Sequence, residues 1–294
     1  MIAHDKYYLG CPQWTHKPWI GQVYPNHLAG KSELSYYAQV FNTVEGNTSF
    51  YATPPKETLQ KWESDVGPNF RYLFKVHQQI THEQGLNALS VALFFEWLDR
   101  FSILGQKLGT ILIQLPAQIR YQNLDRLWFF LEQILKNRYP CAYAVELRDL
   151  ACFSPQNQIN IHQMLCQFQV EQAIMDTRPL RAIAPINQAT AIAQERKPNM
   201  PVFPIGLGPN PIIRYVAHPN VEDNLPWLSD WADCFAQWIK LGKKPYFFAH
   251  YPGEDLAPLV AKRFHEVLSE KLKSDGISIG DGPKFFGTTQ LSFF

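Results

Sequence analysis

Eight short runs rich in Val, Ile, Tyr and Phe recur along the chain: YYLGC, TVEGN, RYLFKV, TILIQLP, AYAVELR, QAIMDTR, IIRYVAHP and PYFFAH. They lack a clean alternation of apolar and polar residues, the pattern expected of parallel strands covered on both faces. Most are separated by segments long enough to hold a helix. Repeated strand then helix specifies an α/β architecture, and eight strands favour a closed (β/α)8 TIM-type barrel. A doubly wound sheet is the alternative that periodicity leaves open. At 294 residues the chain exceeds the usual ~100–200 per domain, but barrels of ~250 residues form one unit. The expectation is a single barrel domain over 1–274, with 275–294 as a glycine-containing tail, ending LSFF, that either docks on the barrel or frays.

The intervening segments read as amphipathic helices. Leu34, Tyr37, Ala38 and Phe41 fall at i, i+3, i+4, i+7, with Ser32 as N-cap. Val91, Phe94, Phe95 and Leu98 repeat the spacing, as do Leu124, Leu127, Trp128 and Leu131 with Asn123 as cap. Leu228, Trp231, Ala232, Phe235, Trp238 and Ile239 form a stripe ended by Gly242; Val260, Phe264, Val267 and Leu268 form the last. Such stripes are core-facing surface and carry no functional weight. Three stretches exceed a minimal barrel: 12–30, 77–87 and 177–211, the last with a short helical patch near 189–195. Each follows a strand, so each is expected over the C-terminal face of the barrel as a lid or binding loop.

Charge and cysteine usage limit the partners. Lys and Arg number 27 against 26 Asp and Glu, a net charge of +1, which argues against a dedicated nucleic-acid coat protein and leaves room for a local site. The five cysteines are scattered, odd in number and form no C-x-x-C, as suits reduced thiols in the cytosol. The N-terminus lacks a signal-peptide apolar region, and no apolar run approaches ~18 residues. A soluble cytoplasmic protein with no membrane partner is expected.

In a parallel barrel the strand C-termini converge on one mouth. The eight runs carry Glu45, Asn47, Lys75, Gln114, Glu146, Arg148, Asp176, Arg178, Arg214, His218 and His250 toward those ends. Glu146 closes an apolar run, where an unpaired carboxylate is expensive to desolvate; it is either ion-paired with an arginine, a general acid/base or a metal ligand. Glu45 sits similarly, with Asn47 two residues on and on the same strand face. Lys75 fits a Schiff-base nucleophile, a fixed cation for phosphate or carboxylate, or a counter-ion for Glu45 or Glu146. Asp176 with Arg178 reads first as a salt-bridged pair. His218 and His250 fit proton shuttles or ligands, and His82 fits a hydrogen-bond partner that orders its loop. Trp14, Trp19, Phe50 and Tyr51 could stack on a sugar or base, or pack in the core. Phosphate-loop, complete dinucleotide, nucleophile-elbow and H-E-x-x-H signatures are absent.

The segments TVEGNTSFY, FKVHQQITHE, LGTILIQLPAQI and AVELRDLACF, in this order and spacing, resemble the blocks of the YecE-like family, catalogued as domain of unknown function 72. The resemblance covers most of the chain. It implies a (β/α)8-type barrel and a bacterial or archaeal cytosolic protein, and it implies no established activity. Its fold neighbours include metal-dependent barrel enzymes of the xylose isomerase and endonuclease IV type, a fold-level analogy. The family pattern places Glu45, Asn47, Tyr51, Lys75, His82, Gln114, Glu146 and Arg148 at matching positions. Two departures stand out: RYVAHP replaces the family's R-x-H-G after the seventh strand, and AHYPGE replaces a pair of asparagines after the eighth.

The combined expectation is an enzyme of hydrolase or lyase type acting by acid/base chemistry on a phosphate- or sugar-containing small molecule or nucleic-acid fragment. Glu146, Lys75 and Glu45 are its catalytic candidates. Asn47, Tyr51, His82, Gln114, Arg148, Asp176, Arg214, His250 and Trp14 are its ligand-binding candidates. No cofactor is assigned; a version dependent on a divalent metal would use Glu146, Asp176, His218 and His250. The alternative is a non-catalytic protein that binds a ligand or nucleic acid in the same cavity.

Overall fold

Parallel neighbours require long crossovers, and every inter-strand segment here supplies one. The computed structural model describes residues 6–28, 30–136 and 138–286. All eight expected strands form: β1 (Tyr8–Gly10), β2 (Thr43–Gly46), β3 (Arg71–Lys75), β4 (Leu108–Gln114), β5 (Ala142–Glu146), β6 (Glu171–Asp176), β7 (Ile212–Val216) and β8 (Tyr246–His250). Each pairs in parallel with the next from β2 to β8, and β8 pairs with β1. The sheet is therefore a nearly closed barrel, not a doubly wound sheet.

The seam between β1 and β2 is held by side chains more than by a ladder. The Asn42 amide donates to Tyr7 O (3.0 Å) and accepts from Leu9 N (2.7 Å). The Tyr37 hydroxyl accepts from Cys11 N (2.8 Å) and donates to Thr43 O (3.0 Å), and Glu45 N reaches Cys11 O (3.0 Å). Gly10 permits this close approach, because a Cβ there would lie 2.1 Å from Thr43 O. Gly10→Ala is expected to force the seam apart and cost about 2 kcal/mol or more, read as a lower midpoint in urea. A midpoint unchanged from the parent would show that the seam yields freely.

The helices are α1 (Glu33–Val40), α2 (Lys56–Asp65), α3 (Ala88–Phe101), α4 (Asp125–Leu135), α5 (Pro155–Phe168), α6 (Arg178–Arg181), α7 (Gln188–Arg196), α8 (Leu225–Lys240) and α9 (Ala257–Lys273). Ser32 caps α1 as expected, its hydroxyl accepting from Ser35 N at 3.1 Å. Asn123 does not cap α4. Its side-chain oxygen accepts from Arg120 N at 2.6 Å and closes the preceding turn, so the helix begins after Leu124. The third long stretch folds into α6 and α7 over the mouth, and the second contains a π-helical turn, Gln79–Glu83. No helix among the described residues is long and apolar enough to cross a membrane. Beyond α9, Ile279 is buried, Phe286 N donates to Gln22 O (2.6 Å), and the Phe286 ring packs edge-on against Tyr36. The LSFF end falls outside the described residues.

Strand side chains alternate between the barrel interior and the helical layer. Inside, Tyr8, Leu73, Leu112, Ala144, Ala173, Ile212, Tyr246 and Phe248 form one apolar cluster. Two residues further along each strand, the same parity brings Lys75, Gln114, Glu146, Met175, Arg214 and His250 to the mouth. The change from apolar to charged thus occurs in one step up the barrel.

Candidate functional site

Arg214 is the centre of the mouth. Its guanidinium, 2% exposed, donates from Nε to Glu45 Oε2 (2.8 Å) and from Nη2 to Glu45 Oε1 (2.6 Å), while Nη1 donates to Glu146 Oε2. A planar fork that engages two carboxylates at once is geometry only arginine supplies. Glu45 also faces His250 Nε2 (3.2 Å) and Lys75 Nζ (3.7 Å), and Glu146 Oε1 is ion-paired with Arg148 Nη2 at 2.5 Å. The buried carboxylates read from the sequence are therefore paired, as their desolvation demands.

The ionisation of these groups follows from the pairing. Burial pushes Glu146 up, but Arg148, Arg214 and Lys75 outweigh it and hold the carboxyl down at about 2. Burial likewise opposes the charge on Glu45, and Arg214, His250 and Lys75 hold it well below the usual carboxylate range. Lys75 goes the other way. Burial, reinforced by Arg214 and Lys197, pushes its amine down to about 7 against the pull of Glu45 and Glu146. Its 3.7 Å approach to Glu45 is its closest polar contact among the described residues, and the acceptor is already taken by Arg214. Lys197 is lowered as well, first by burial. Its Nζ lies 3.2 Å from His250 Nδ1, which is 3.6 Å from Glu254 Oε1.

Beside this cluster opens a cleft of about 220 Å³ lined by His82, Gln114, Arg148, Glu195, Arg196 and Lys197, with Leu115, Pro116, Ala117 and Pro198. Two polar atoms in its wall, Gln114 Oε1 and Arg148 Nε, are buried without a hydrogen bond among the described residues. His82 contacts Thr81 Oγ1 through Nδ1 (2.8 Å) and sets its ring edge-on to Phe50. Burial, then Arg148 and Lys75, lowers its pKa, so it is neutral at pH 7.

The remaining candidates lie apart. Asn47 donates to Pro12 O (2.9 Å) and ties the first long loop to the end of β2. Tyr51 is 69% exposed, beside Phe50. Trp14 packs edge-on against Trp62 of α2, 4.9 Å between centroids, and against Tyr72, on the helical side of β3. Asp176 follows the inward-facing Met175, so its parity is outward. It accepts from Arg178 Nε (2.9 Å) and Nη2 (2.7 Å) and from Trp231 Nε1 of α8 (2.8 Å). The salt-bridged pair expected of Asp176 and Arg178 is present, and the pair braces β6 against α8. His218 accepts from Asn220 N (3.0 Å) and stacks over Trp227.

The four ligands of the metal-dependent version are thereby separated: Asp176 is turned out, His218 is held by its own loop, and both Glu146 oxygens face arginines. Among the described residues no group of three or more His, Cys, Asp or Glu could hold a metal ion. Lys197, Arg196 and Glu254 are site residues the sequence reading missed. The first two sit at the end of α7, where basic residues ordinarily offset the helix dipole.

A larger cavity, about 980 Å³, lies at the opposite end among strand N-termini, including Tyr8, Arg71, Leu108, Ala142 and Tyr246. Its one buried carboxylate, Glu171, is consumed by the amides of Leu207 and Gly208, both at 2.8 Å. The ion-paired carboxylates and the lowered lysines are at the C-terminal end.

A single-domain parallel barrel whose C-terminal mouth is sealed by an arginine–dicarboxylate cluster defines the class. The family model described as Protein of unknown function DUF72 matches residues 8–279, and the chain belongs to that family. It is 33% identical over 270 residues to the UPF0759 protein YecE of Escherichia coli (strain K12), covering 92% of this chain and 95% of that one. It is 27% identical over 157 residues to the UPF0759 protein YunF of Bacillus subtilis (strain 168), covering 50% of this chain and 52% of YunF. The barrel is similar to crystal structures of DUF72 family proteins from Enterococcus faecalis V583 (TM-score 0.65, 18% identity, 97% of this chain and 100% of that one) and Thermotoga maritima MSB8 (0.64, 19%, 89% and 98%). At these identities the likeness speaks for the fold.

Proposed function

We propose that the chain is an enzyme of lyase or hydrolase type that acts on a small phosphate-bearing sugar at the barrel mouth, with Lys75 as the group that moves the proton. The observation that carries this reading is the placement of a largely buried amine, 3.7 Å from Glu45 and without a side-chain hydrogen bond among the described residues, beside a cleft walled by Arg148, Arg196 and Lys197. Glu146, the first sequence candidate for acid/base work, is held at about 2 and stays a carboxylate at neutral pH. A general acid or base works best with a pKa near the operating pH, and Lys75 meets that condition. Glu45 and Glu146 then supply the fixed negative field. Arg148 Nε, without a hydrogen bond among the described residues, is a donor left over for a phosphate oxygen.

A thermal-shift panel of inorganic phosphate, glycerol phosphate, ribose 5-phosphate and nucleotides tests this reading on the parent, Arg148→Ala and Lys75→Met. A ligand at ~100 times its dissociation constant stabilises by about 2.7 kcal/mol. Phosphate compounds are expected to raise the parent's melting temperature by several degrees, Arg148→Ala to lose most of that shift, and Lys75→Met to keep it without turnover. Shifts equal in the parent and Arg148→Ala would remove the cleft from the reading. A stabilising ligand never converted by the parent would leave a non-catalytic binder.

A further inference from the structure

We propose that the Lys75 amine forms an imine with the carbonyl carbon of a small phosphorylated aldehyde or ketone, whose phosphate is held by Arg148, Arg196 and Lys197. This rests on the phosphate-sugar reading above and deepens it: the substrate carries a carbonyl, and Lys75 is its nucleophile instead of its proton carrier. Three features of the geometry support it.

The first is access. Lys75 is the last residue of β3 and points into the mouth, where its side chain keeps 12% exposure. It pairs in register with Leu112, and the next inward residue of β4, Gln114, is part of the cleft wall. The amine is thus one strand from open space. A cleft of about 220 Å³ has room for about seven waters at about 30 Å³ each, which suits a three- or four-carbon sugar phosphate.

The second is competition for counter-ions. Glu45 accepts two arginine N–H bonds and Glu146 faces two arginines, so both carboxylates are shared and the lysine stays 3.7 Å from Glu45, beyond hydrogen-bond distance. The site holds the amine unprotonated for a large part of the time near neutrality. An unprotonated lysine in a desolvated pocket beside other cations is the activated form of this nucleophile.

The third is stabilisation of the product. In the reaction the amine nitrogen adds to the carbonyl carbon, and the carbonyl oxygen takes a proton. That proton comes from the amine nitrogen itself. A second, taken from solvent water in the cleft, lets the carbinolamine oxygen leave as water, so that amine, carbonyl and one proton give an iminium C=N⁺ on the lysine and one water. Nothing is oxidised or reduced. The iminium charge then resides near Glu45 Oε1, 3.7 Å from the nitrogen, with Glu146 on the neighbouring side of the mouth. Both stay ionised at neutral pH. An iminium withdraws electrons from the adjacent carbon, which is the requirement for a lyase at a sugar carbon. Gln114 lines the same cleft, and its Oε1, a buried acceptor without a hydrogen bond among the described residues, suits a sugar hydroxyl.

The test is reductive trapping on the intact chain at pH 7. Glyceraldehyde 3-phosphate, dihydroxyacetone phosphate and plain glyceraldehyde are each added with cyanoborohydride, followed by peptide mass mapping. At pH 7 about half of Lys75 is free amine, against on the order of one in a few thousand for an ordinary lysine. Burial slows access, so labelling at Lys75 is expected to exceed that at exposed lysines by about tenfold or more. It should be faster with a phosphorylated probe than with glyceraldehyde, slowed by excess inorganic phosphate, and absent in Lys75→Met and Lys75→Arg. Formaldehyde, the smallest carbonyl, serves as a probe that needs no fit. Exposed lysines labelled by all four carbonyls with Lys75 unmodified would overturn the imine. If inorganic phosphate still stabilised the parent through Arg148, the anion-binding reading would survive that failure; if it did not, both would fall.

Discussion

Arg214→Met is expected to lose about 3–5 kcal/mol of stability, the range for breaking a buried ion pair by removing one partner. In a chain of this size that is a fall in melting temperature on the order of 10 °C. Three of the guanidinium's donors are engaged by Glu45 and Glu146 in a fully buried setting. After its removal Glu146 keeps Arg148, but Glu45 keeps only His250 at 3.2 Å and Lys75 at 3.7 Å. The cost therefore falls mainly on Glu45, so Glu45→Gln in the Arg214→Met background should recover a large part of it. Arg214→Lys, which keeps a charge without the fork, should fall between the two.

Acid should narrow the gap between parent and variant. The folded-state values of Glu146, about 2, and of Glu45, well below the usual range, are depressed relative to an unfolded value of about 4.3. A depressed carboxylate contributes stability that is complete above the unfolded value and is lost as pH falls toward the folded one. The parent should thus lose stability between about pH 4.3 and 2, while the variant, lacking the pairing, loses less. Denaturation of both at pH 7 and pH 3 measures this. An Arg214→Met protein that melts within a degree or two of the parent at pH 7 would show that the cluster is solvated and that the mouth is not built around Arg214.

How much of this was readable from residues alone depends on which physical signal each feature leaves. All eight strands were legible because buried parallel strands leave long β-branched and aromatic runs. The convergence of Glu45, Lys75, Gln114, Glu146, Arg214 and His250 followed from their places at strand ends. Asp176 shares the strand-end position but not the parity. Counting from Ala173, inside, to Met175, inside, turns Asp176 outward, and that signal was present in QAIMD. Trp14 could not be placed, because an aromatic in a loop has no periodicity to say which side it packs on. Lys197 and Glu254 lie outside any strand, and only the folded paths after α7 and β8 bring them to His250. The pairing of Glu45 with Arg214, 169 residues apart, follows from barrel closure and leaves no local trace.

Lys75→Met should do the opposite of a usual site substitution and stabilise the protein. The unfolded chain keeps the lysine proton up to about 10.4, whereas the folded chain releases it at about 7. Between these values the unfolded state binds more protons, so stability rises with pH across that window. At and below pH 7 the buried lysine imposes nearly its full penalty, for which 3–4 units of displacement set a ceiling of about 4–5 kcal/mol. The side chain keeps 12% exposure and a weak attraction to Glu45, so a gain of about 2–3 kcal/mol is the expected result at pH 7. It should shrink as pH rises and be nearly gone by about pH 10.5.

The other groups that face Lys75 leave this window to it. Glu45 and Glu146 stay ionised throughout, Arg214 stays charged, and His82, lowered by burial, is already neutral at its start. Lys197 is also lowered and faces the same cluster, so Lys197→Met alone and in combination assigns the two contributions. Urea denaturation of the parent and both variants at pH 7, 8.5 and 10.5 gives the comparison. A Lys75→Met chain less stable than the parent at pH 7, or a gain that does not vary with pH, would mean that the amine is an ordinary ammonium paired to Glu45. A pH-dependent gain together with loss of carbonyl trapping would show that the fold gives up stability to keep a reactive amine at the barrel mouth.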